Sequence, residues 1–446
     1  DAGKMLFENN PLTTVCSLVC NHENQCEGHC VQGIKGAPVH FSVIENYISS
    51  TYASQMTQGP APSNGKKAAI IGGGPTGIAA AYFLGRAGIP VTIFEKSHKL
   101  GGVPRLVIPG FRISEEAIEK DIALMRFYGA EVKLNTPAPS VSELKAMGYT
   151  HIFFAVGAGK AGQLDIPGNV VPVIQWLRDL KAGKDVPLGH VAVVGGGNTA
   201  MDAARAALRA GAKSSTLVYR RTKKYMPADA EELELAVEDG VRFLELVAPV
   251  EQVNGKLKCE VMKLGDPDEK GRRSPVPTGE FTEINCDTVI AAVGERIDSD
   301  LFTANGIEVN AKGIPEFRTN LENVFVGGDA MRGPATVVEG IADAAAFAEA
   351  VIGEAHTYDI PEQAYVTKAD AEAKKGILAM SGCVCCEGER CLQCATVCEN
   401  CVDSCPNRAN VAIRMADGSH QITQHTDGSM WNENGQQCDA QGNPIA

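Results

Sequence analysis

The stretch KAAIIGGGPTGIAAAYFLGRAGIPVTIFEK, residues 67–96, decides the fold class. It predicts a buried strand over 68–71, a glycine turn, an alanine-rich helix over 75–87 and a second strand over 90–94. A second copy, HVAVVGGGNTAMDAARAALRAGAKSSTLVYRR, occupies residues 190–221 with the same order of elements and the same glycine spacing. Strand, glycine turn, helix and strand in this order are typical of a dinucleotide-binding unit. We therefore predict an α/β fold with two Rossmann-like dinucleotide-binding domains.

The glycines of the first unit are spaced to hold a pyrophosphate. Gly72, Gly74 and Gly77 form the pattern G-x-G-x-x-G. The first permits a tight turn, the second lets the backbone approach the ligand, and the third lets the helix pack on the strand. The helix N-terminus then presents free N–H groups and a partial positive charge to the phosphates. Glu95 ends the second strand, where a carboxylate accepts hydrogen bonds from ribose hydroxyls. The alternative is a glycine-rich turn that binds no ligand.

The second unit differs where its second strand ends. Its glycine pattern is Gly195, Gly197 and Ala200, but the strand ends in Arg220 and Arg221 instead of an acid. A carboxylate would repel the 2′-phosphate of NADP, whereas guanidinium groups bind it. The sequence therefore predicts a preference for NADP(H) over NAD(H). The alternative is that both arginines only cover a surface.

A third glycine motif follows the strand pattern NVFVGGD. Gly328 and Asp329 end this apolar stretch, and residues 334–338 are expected to start a helix. An aspartate at such a strand end can hold a ribityl hydroxyl of a flavin, with the helix N-terminus facing the flavin pyrimidine. The alternative for Asp329 is an ordinary helix N-cap.

Bulk composition excludes several classes of protein. The 446 residues suggest about three domains. The net charge of −13 argues against a nucleic-acid partner, and no apolar run reaches the length of a membrane span. No signal-peptide pattern is visible, and the chain begins at Asp1, which is consistent with a fragment. We predict a cytoplasmic protein with no nucleic-acid partner and no membrane insertion.

The fifteen cysteines are concentrated in two groups. Four lie at 16–30 and eight at 383–405, leaving Cys259, Cys286 and Cys438 elsewhere. Dense clusters that flank nucleotide-binding patterns indicate metal sites in a reducing compartment rather than disulfides. The segment 100–110 after the first unit contains no redox cysteine pair. Electrons that reach a flavin there need another exit, and the cysteine clusters are the obvious candidates.

The chain resembles the glutamate synthase small-subunit flavoproteins. The N-terminal part of dihydropyrimidine dehydrogenase and the NADPH-binding subunit of the electron-bifurcating transhydrogenase belong to the same group. The resemblance rests on NNPLTTVCSLVCNHENQCEGHC, IIGGGPTGIAAA, IPGFRI, VVGGGNTAMDAARAALRAGA, VYRR and VFVGGDA, and covers roughly residues 8–350. The tail CLQCATVCENCVDSCPNRANV is most similar to selenate reductase-type flavoproteins of that superfamily. The resemblance implies FAD at the first unit, NADPH at the second and [4Fe–4S] clusters in an N-terminal helical domain.

The N-terminal cysteines have the spacing C-x3-C-x5-C-x3-C, and thiolates are soft ligands suited to iron–sulfur clusters. They are Cys16, Cys20, Cys26 and Cys30. The resemblance implies that the last three are divided between two clusters and that Glu45 replaces a further cysteine. Of these four cysteines, Cys16 is the least secure cluster ligand. The alternative for Glu45 is that it is a solvated residue on a helix and binds no cluster.

The C-terminal cysteines allow three interpretations. Family members have a further cysteine motif, RCLxC…C-x3-CP, upstream of the N-terminal cysteines. A similar motif occurs here at residues 390–406. The spacing between its two halves is longer, and Cys398 lies in the additional length. The tail either folds back to complete the N-terminal clusters or, as we prefer, binds clusters locally, as ferredoxins do. Zinc is the third option, but zinc transfers no electrons. The region 426–442 resembles a ferredoxin motif that keeps only Cys438, and we expect no cluster there. Predicted ligands in the tail are Cys391, Cys394, Cys398, Cys401 and Cys405, with Cys383, Cys385 and Cys386 less secure.

These patterns predict an NADPH-dependent FAD and iron–sulfur oxidoreductase subunit. It would exchange electrons with a separate catalytic partner, such as a glutamate synthase, a selenate reductase-like enzyme or a molybdenum hydroxylase. The alternative is an electron-bifurcating or ferredoxin-linked transhydrogenase module. No side-chain acid or base is needed, because the cofactors supply the chemistry. The further predicted cofactor-binding residues are Pro75, Thr76, Lys96, Gly102, Arg112, Gly157, Asn198, Thr199, Gly294, Thr336 and Val337.

The expected domains follow the order of the motifs, in the arrangement of the disulfide reductases. They are a helical iron–sulfur segment (1–53), a linker (54–66), a discontinuous FAD domain (67–180 and 285–354), an NAD(P)H domain (181–284), a cysteine-rich, ferredoxin-like iron–sulfur segment (355–415) and a polar tail (416–446).

Overall fold

A computed structural model describes residues 2–353, except 35, 56–58, 64, 269–270 and 272, together with 423–424 and 430–431. The predicted tail ligands and Cys438 lie outside the described residues. The helices are α1 (Ala2–Asn9), α2 (Thr13–Val19), α3 (Phe41–Tyr52), α4 (Pro75–Arg86), α5 (Gly102–Leu106), α6 (Glu115–Phe127), α7 (Val141–Ala146), α8 (Val173–Lys181), α9 (Asn198–Arg209), α10 (Ala230–Glu238), α11 (Ser299–Ala304), α12 (Asp329–Arg332) and α13 (Val337–Ile352). The strands are β1 (Ala68–Ile71), β2 (Val91–Phe94), β3 (Glu131–Lys133), β4 (His151–Phe154), β5 (Lys160–Ala161), β6 (Val170–Pro172), β7 (His190–Val194), β8 (Ser214–Tyr219), β9 (Arg242–Glu245), β10 (Val247–Val253), β11 (Lys256–Pro267), β12 (Arg273–Asn285), β13 (Thr288–Ala291), β14 (Glu295–Arg296), β15 (Val324–Val326), β16 (Thr423–Gln424) and β17 (Met430–Trp431).

The first sheet is parallel and has the order β3-β2-β1-β4-β15. Every residue of β1, β2 and β4 is buried, because helices cover both faces of such a sheet. On one face, the ring of Phe153 stacks on that of Phe347 from α13, with centroids 4.4 Å apart. The strand order reverses between β1 and β4, so ligands are expected at the carboxyl ends of these strands. The predicted first dinucleotide-binding unit is confirmed as an α/β unit.

The second sheet has the order β6-β13-β7-β8-β9 and is also parallel. The two strands at one side of this sheet, β6 and β13, come from outside the segment 181–284, since β6 precedes it and β13 follows it. The structure therefore displaces the predicted boundaries at 180 and 285. The reason is topological: β13 is a fully buried strand that pairs with β7, and sequence alone does not assign a short apolar strand to one of two parallel sheets.

A three-stranded antiparallel sheet, β10-β11-β12, extends the second unit. The stretch 264–279 is polar and rich in glycine and proline, a composition typical of a surface loop, yet it is mostly extended. Most of it belongs to β11 and β12, with Leu264 paired to Pro275 and Met262 to Pro277. Prolines are tolerated because β12 is an edge strand, and the polarity reflects exposure rather than irregular structure.

The N-terminal helical segment packs on the first unit. Leu12 and Val15 join the hydrophobic core formed by α4, α6 and α13. Both carboxylate oxygens of Asp121 on α6 accept hydrogen bonds from the start of α2, from Thr14 N at 3.2 Å and Val15 N at 2.8 Å. The hydroxyl of Tyr82 donates to a carbonyl oxygen of α1 at 2.7 Å. The cysteine-bearing helix α2 is thus held against the first nucleotide unit. Among the described residues, no helix is long and apolar enough to cross a membrane.

Candidate nucleotide and iron–sulfur sites

The glycine turn of the first unit is sterically obligatory. Gly72 has φ +106°, and a Cβ there would lie 2.4 Å from the carbonyl oxygen of Ala155. A Cβ on Gly77 would lie 2.0 Å from Gly72 O, which explains the close approach of α4. A Cβ on Gly74, in contrast, would meet only the Cα of Gly102, at 3.8 Å. The backbone is therefore accessible on the side where a pyrophosphate is expected, and this turn fits the diphosphate of a dinucleotide.

Glu95 supports this turn from inside. The side chain is 7% exposed, and one carboxylate oxygen accepts a hydrogen bond from Gly73 N at 2.7 Å. The other oxygen accepts one from Ser97 N at 2.7 Å. An ionised carboxylate has about four acceptor positions, so hydrogen bonds to a ribose remain available. The sequence predicted a ribose contact for Glu95 but did not predict its bonds to the glycine turn.

Gly328 follows strand β15 and therefore lies at the same edge of the first sheet as the glycine turn. Gly328 has φ +64° and ψ −152°, and a Cβ there would lie 2.4 Å from the hydroxyl oxygen of Thr76. The same oxygen would be 2.4 Å from a Cβ on Gly340. Thr76 therefore packs between two glycines, so that α4 and α13 converge beside the turn. The N–H of Gly328 donates to Asp343 Oδ2 at 2.7 Å, and Asp343 also binds Arg332. Asp343 was not among the site residues predicted from the sequence.

Asp329 is not the N-cap of a helix, because Gly328 precedes α12 and Thr336 precedes α13 in that position. Asp329 Oδ1 accepts a hydrogen bond from Ala335 N at 3.2 Å. Burial raises the pKa of Asp329 to about 7. Glu339 Oε2 accepts bonds from both the N–H and the hydroxyl of Thr336, each at 2.8 Å, at the start of α13. A half-buried carboxyl and a helix N-terminus thus lie next to the crevice of the first sheet, which fits a flavin.

The second glycine turn repeats this geometry. A Cβ on Gly195 would lie 2.3 Å from Ala292 O, whereas one on Gly197 would meet no atom within 4 Å. Asn198 is tied to the loop that leads into α10: its Nδ2 donates to Asp229 Oδ2 at 2.8 Å, and its Oδ1 accepts from Asp229 N at 2.9 Å. The turn therefore has room for a second pyrophosphate, and Asn198 orders the neighbouring loop.

The two arginines after β8 have different environments. Arg220 is exposed. The Nε atom of Arg221 is buried and has no hydrogen-bond partner among the described residues. A buried donor without a partner is costly, so the site is incomplete without an acceptor. The 2′-phosphate of NADP supplies acceptors of the right charge.

Arg112 is engaged by carboxylates of the second unit. Its guanidinium pairs with Asp202 on α9 and Glu232 on α10. Asp202 and Glu232 were not singled out from the sequence, since nothing local to either residue signals a partner about 100 positions away.

The remaining predicted cofactor-binding positions fall into three groups. Gly102 has φ +57°, and a Cβ there would press on the Cα of Gly74 at 2.8 Å. Gly157 and Gly294 also have positive φ and face open space. Pro75, Thr199, Ala200 and Val337 lie in the first turns of α4, α9 and α13, and Lys96 is exposed.

The N-terminal ligand candidates lie on and after α2. The thiols of Cys16 and Cys20 interact, and this hydrogen bond together with burial raises the pKa of Cys16. Glu45 on α3 is bound by Asn10 Nδ2 at 3.1 Å. Burial, with a further contribution from the nearby Cys20, raises the pKa of Glu45. Glu45 is thus a half-buried carboxyl close to the thiols of Cys16 and Cys20.

The other two thiols lie further along the segment. Cys30 Sγ accepts a hydrogen bond from Val39 N at 3.4 Å, and Cys26 is 8% exposed. Within the described part of the chain, no three His, Cys, Asp or Glu side chains converge on one point. The donor chemistry of these thiols fits an iron–sulfur cluster.

The fold and these sites define a class of protein. The sequence profile described as pyridine nucleotide-disulphide oxidoreductase matches residues 66–344. The profile described as dihydropyrimidine dehydrogenase domain II, 4Fe-4S cluster, matches residues 1–57. The chain belongs to the pyridine nucleotide-disulphide oxidoreductase family. Its fold is shared by FprA of Mycobacterium tuberculosis in complex with NADPH, with a TM-score of 0.56, 18% identity, and coverage of 74% of this chain and 90% of FprA.

Similarity to individual relatives places the chain more closely within this family. The chain is 36% identical to the oxidoreductase YgfK of Escherichia coli K12 over 93% of its own length but only 42% of YgfK, so it spans less than half of that relative. It is 32% identical to the small chain of glutamate synthase [NADPH] of E. coli K12, with 79% of this chain and 82% of the relative covered. It is 36% identical to the NADPH-Fe(3+) oxidoreductase subunit beta of Geobacter sulfurreducens PCA, covering 76% of this chain and 57% of that subunit.

These matches confirm the predicted resemblance and the predicted cofactors. The chain belongs to the same family as the glutamate synthase [NADPH] small chain, with a pyridine nucleotide-disulphide oxidoreductase portion that fits FAD and NAD(P)H and a 4Fe-4S portion. Several relatives are named as subunits of multi-subunit enzymes.

Proposed function

We propose that the chain passes electrons between NADPH and a separate catalytic or electron-accepting subunit by way of FAD and [4Fe–4S] clusters. Nicotinamide exchanges a hydride, flavin accepts two electrons and releases them singly, and clusters carry one electron each. The protein binds and orients these groups and tunes their potentials. The observation that carries the proposal is the position of the segment that contains Cys16–Cys30. Two residues of this segment, Glu23 and Gln25, contact the second and the first nucleotide unit respectively.

These two contacts come from the loop after α2. Glu23 Oε2 accepts a hydrogen bond from Ala230 N, at the start of α10 in the second unit, at 3.1 Å. Gln25 Nε2 donates to Thr336 Oγ1, at the start of α13 in the first unit, at 3.4 Å. Cys20 and Cys26 flank this loop. A cluster held there would adjoin the flavin side of the molecule, which suits transfer between the two groups.

We assign the cofactors to the predicted residues on the chemistry described above. FAD would be held by the first glycine turn with Glu95 and Asp329. NADP(H) would be held by the second turn with Arg220 and Arg221. Cys20, Cys26, Cys30 and Glu45 are the proposed cluster ligands of the N-terminal segment.

Anaerobic reconstitution tests the cluster assignment. Cys26→Ala is expected to lose one cluster's iron while keeping FAD, because its thiol lies in a separate segment from the flavin turn. Cys259→Ala is the matched control, since this thiol is fully buried in the second unit, away from the cysteine segment. Equal iron contents in Cys26→Ala and wild type would contradict the assignment.

The identity of the electron partner is the second test. NADPH is expected to bleach the flavin and reduce the clusters of the purified protein, and a catalytic subunit is expected to co-purify from the native source. Reduction of ferredoxin without any such subunit would instead favour a ferredoxin-linked transhydrogenase module. Failure of NADPH to reduce either cofactor would reject the proposed function.

A further inference from the structure

Gln25 connects a proposed cluster ligand to the start of α13. It lies in the loop between Cys20 and Cys26 and is half-buried. Cys20 Sγ donates to Gln25 Oε1 at 3.1 Å, and Gln25 Nε2 donates to Thr336 Oγ1 at 3.4 Å. One amide therefore touches both the sulfur and the residue that precedes α13.

The backbone around Gln25 fixes the position of this amide. Gln25 N donates to His22 O at 3.2 Å, and Gln25 O accepts from His29 N at 3.1 Å. The ring nitrogen Nδ1 of His29 lies 2.7 Å from the same carbonyl oxygen. With its main chain held on both sides, Gln25 can respond to its surroundings mainly by rotating its side-chain amide.

The present orientation of the amide depends on a protonated sulfur. The Oε1 atom of Gln25 can only accept a hydrogen bond, so the S–H of Cys20 must be the donor. The Nε2 atom of Gln25 donates one of its hydrogens to Thr336 Oγ1. The Thr336 hydroxyl in turn donates to Glu339 Oε2 at 2.8 Å. Donation thus runs in one direction, from Gln25 through Thr336 to the carboxylate of Glu339.

A thiolate that ligates iron has no proton to donate. Oε1 would then face a negatively charged sulfur, which is unfavourable, whereas Nε2 in that place would donate a hydrogen bond to it. After such a rotation, Oε1 faces Thr336, whose hydroxyl donates to Oε1 instead of to Glu339. Hydrogen bonds to ligand sulfur stabilise the more negative, reduced state of a cluster and so raise its potential.

We propose that Gln25 is a positioning residue that donates a hydrogen bond to the ligand sulfur of Cys20, is held in that orientation by Thr336, and thereby raises the potential of the cluster beside the flavin. This inference rests on the proposed function only in taking Cys20 as a cluster ligand. It assigns to Gln25 a role in tuning the cluster rather than in binding iron.

The test is an EPR-monitored redox titration of the reconstituted protein, with iron and FAD contents measured in parallel. Gln25→Met has a similar size but no donor, and Gln25→Glu has the same shape with an added negative charge. Both are expected to keep iron and FAD and to shift the midpoint potential downward, Gln25→Glu further. Gln175→Met, a glutamine on the exposed side of α8 that binds Asp179, is the control and should not shift it.

Thr336 supplies an independent readout. Thr336→Ser keeps the hydroxyl and should leave the potential unchanged, whereas Thr336→Val should lower it by less than Gln25→Met does. An unchanged potential in iron-replete Gln25 variants would overturn the tuning role alone. Loss of iron in both Gln25 variants would also overturn it, because the residue would then be a structural support. A wild type without any cluster signal would reject both this inference and the proposed function.

Discussion

Arg112 and Asp202 join the two nucleotide units across their boundary. Arg112 Nη1 donates to Asp202 Oδ1 at 3.1 Å, and Arg112 Nη2 lies 2.9 Å from Glu232 Oε1. The three side chains are between 7% and 13% exposed. Arg205 pairs with Glu232 as well, so the charges form a network rather than a single pair. Its place between the units suggests a role in fixing their relative orientation.

We predict that Arg112→Met destabilises the protein by about 3 kcal/mol, because it leaves the buried carboxylate of Asp202 without its ion-pair partner. Chemical unfolding, followed by circular dichroism, measures the change. Arg126→Met is the control: Arg126 pairs with Glu119 but is 52% exposed, so the expected change is below about 1 kcal/mol. Loss of FAD from Arg112→Met with unchanged stability would instead indicate that Arg112 binds the cofactor directly.

A second prediction concerns pH. Burial raises the pKa of Asp121 from its ordinary value of 3.8 to about 7. Between these values the folded chain holds a proton that the unfolded chain has released, so the free energy of unfolding falls as the pH rises from about 4 to 7. The contribution is at most about 4 kcal/mol, since one pKa unit corresponds to about 1.4 kcal/mol.

Asp121→Asn cannot ionise and should therefore flatten this fall. Asp329, whose pKa is also raised to about 7, remains in both proteins, so the comparison with wild type isolates Asp121. Glu116→Gln on the exposed side of the same helix should follow the wild-type profile. Parallel profiles for wild type and Asp121→Asn across pH 4–7 would contradict the assignment.

Features of this fold that depend on local backbone geometry were predictable from the sequence, whereas those that depend on tertiary packing were not. The turn residues Gly72 and Gly195 were predictable, because a tight turn between strand and helix restricts the residue type locally. The strand β13 was placed in the wrong unit, because its apolar residues suit either sheet. Glu95 was predicted as a ligand of the ribose, but its hydrogen bonds to the glycine turn were not predicted. These bonds depend on how closely β1 and β2 approach each other.

A third prediction concerns cofactor choice. Arg221→Ala is expected to raise the KM for NADPH about 10- to 100-fold and to leave the KM for NADH nearly unchanged, because only NADPH carries the 2′-phosphate. Steady-state dye reduction with each nucleotide measures the ratio. Arg242→Ala, an exposed arginine on β9, is the control and should retain the wild-type preference. An equal loss with both nucleotides would indicate that Arg221 has a structural role instead.

A fourth prediction tests the edge of the first sheet, where Gly328→Ala faces two separate penalties. Its backbone angles, φ +64° and ψ −152°, belong to a region that is essentially restricted to glycine, at a cost of about 1–3 kcal/mol. The added methyl group would also lie 2.4 Å from Thr76 Oγ1. We therefore expect loss of FAD and a lower unfolding midpoint.

Two further variants distinguish these penalties. Gly148→Ala, at φ +84° with no atom within 4 Å of the new Cβ, carries a backbone penalty alone and should cost about 1 kcal/mol with FAD retained. Thr76→Ala combined with Gly328→Ala removes the hydroxyl and should recover only the contact part of the loss. Full recovery in the double variant would show that the backbone of Gly328 tolerates a side chain. No recovery would show that the contact with Thr76 is unimportant, and that backbone strain alone restricts this position to glycine.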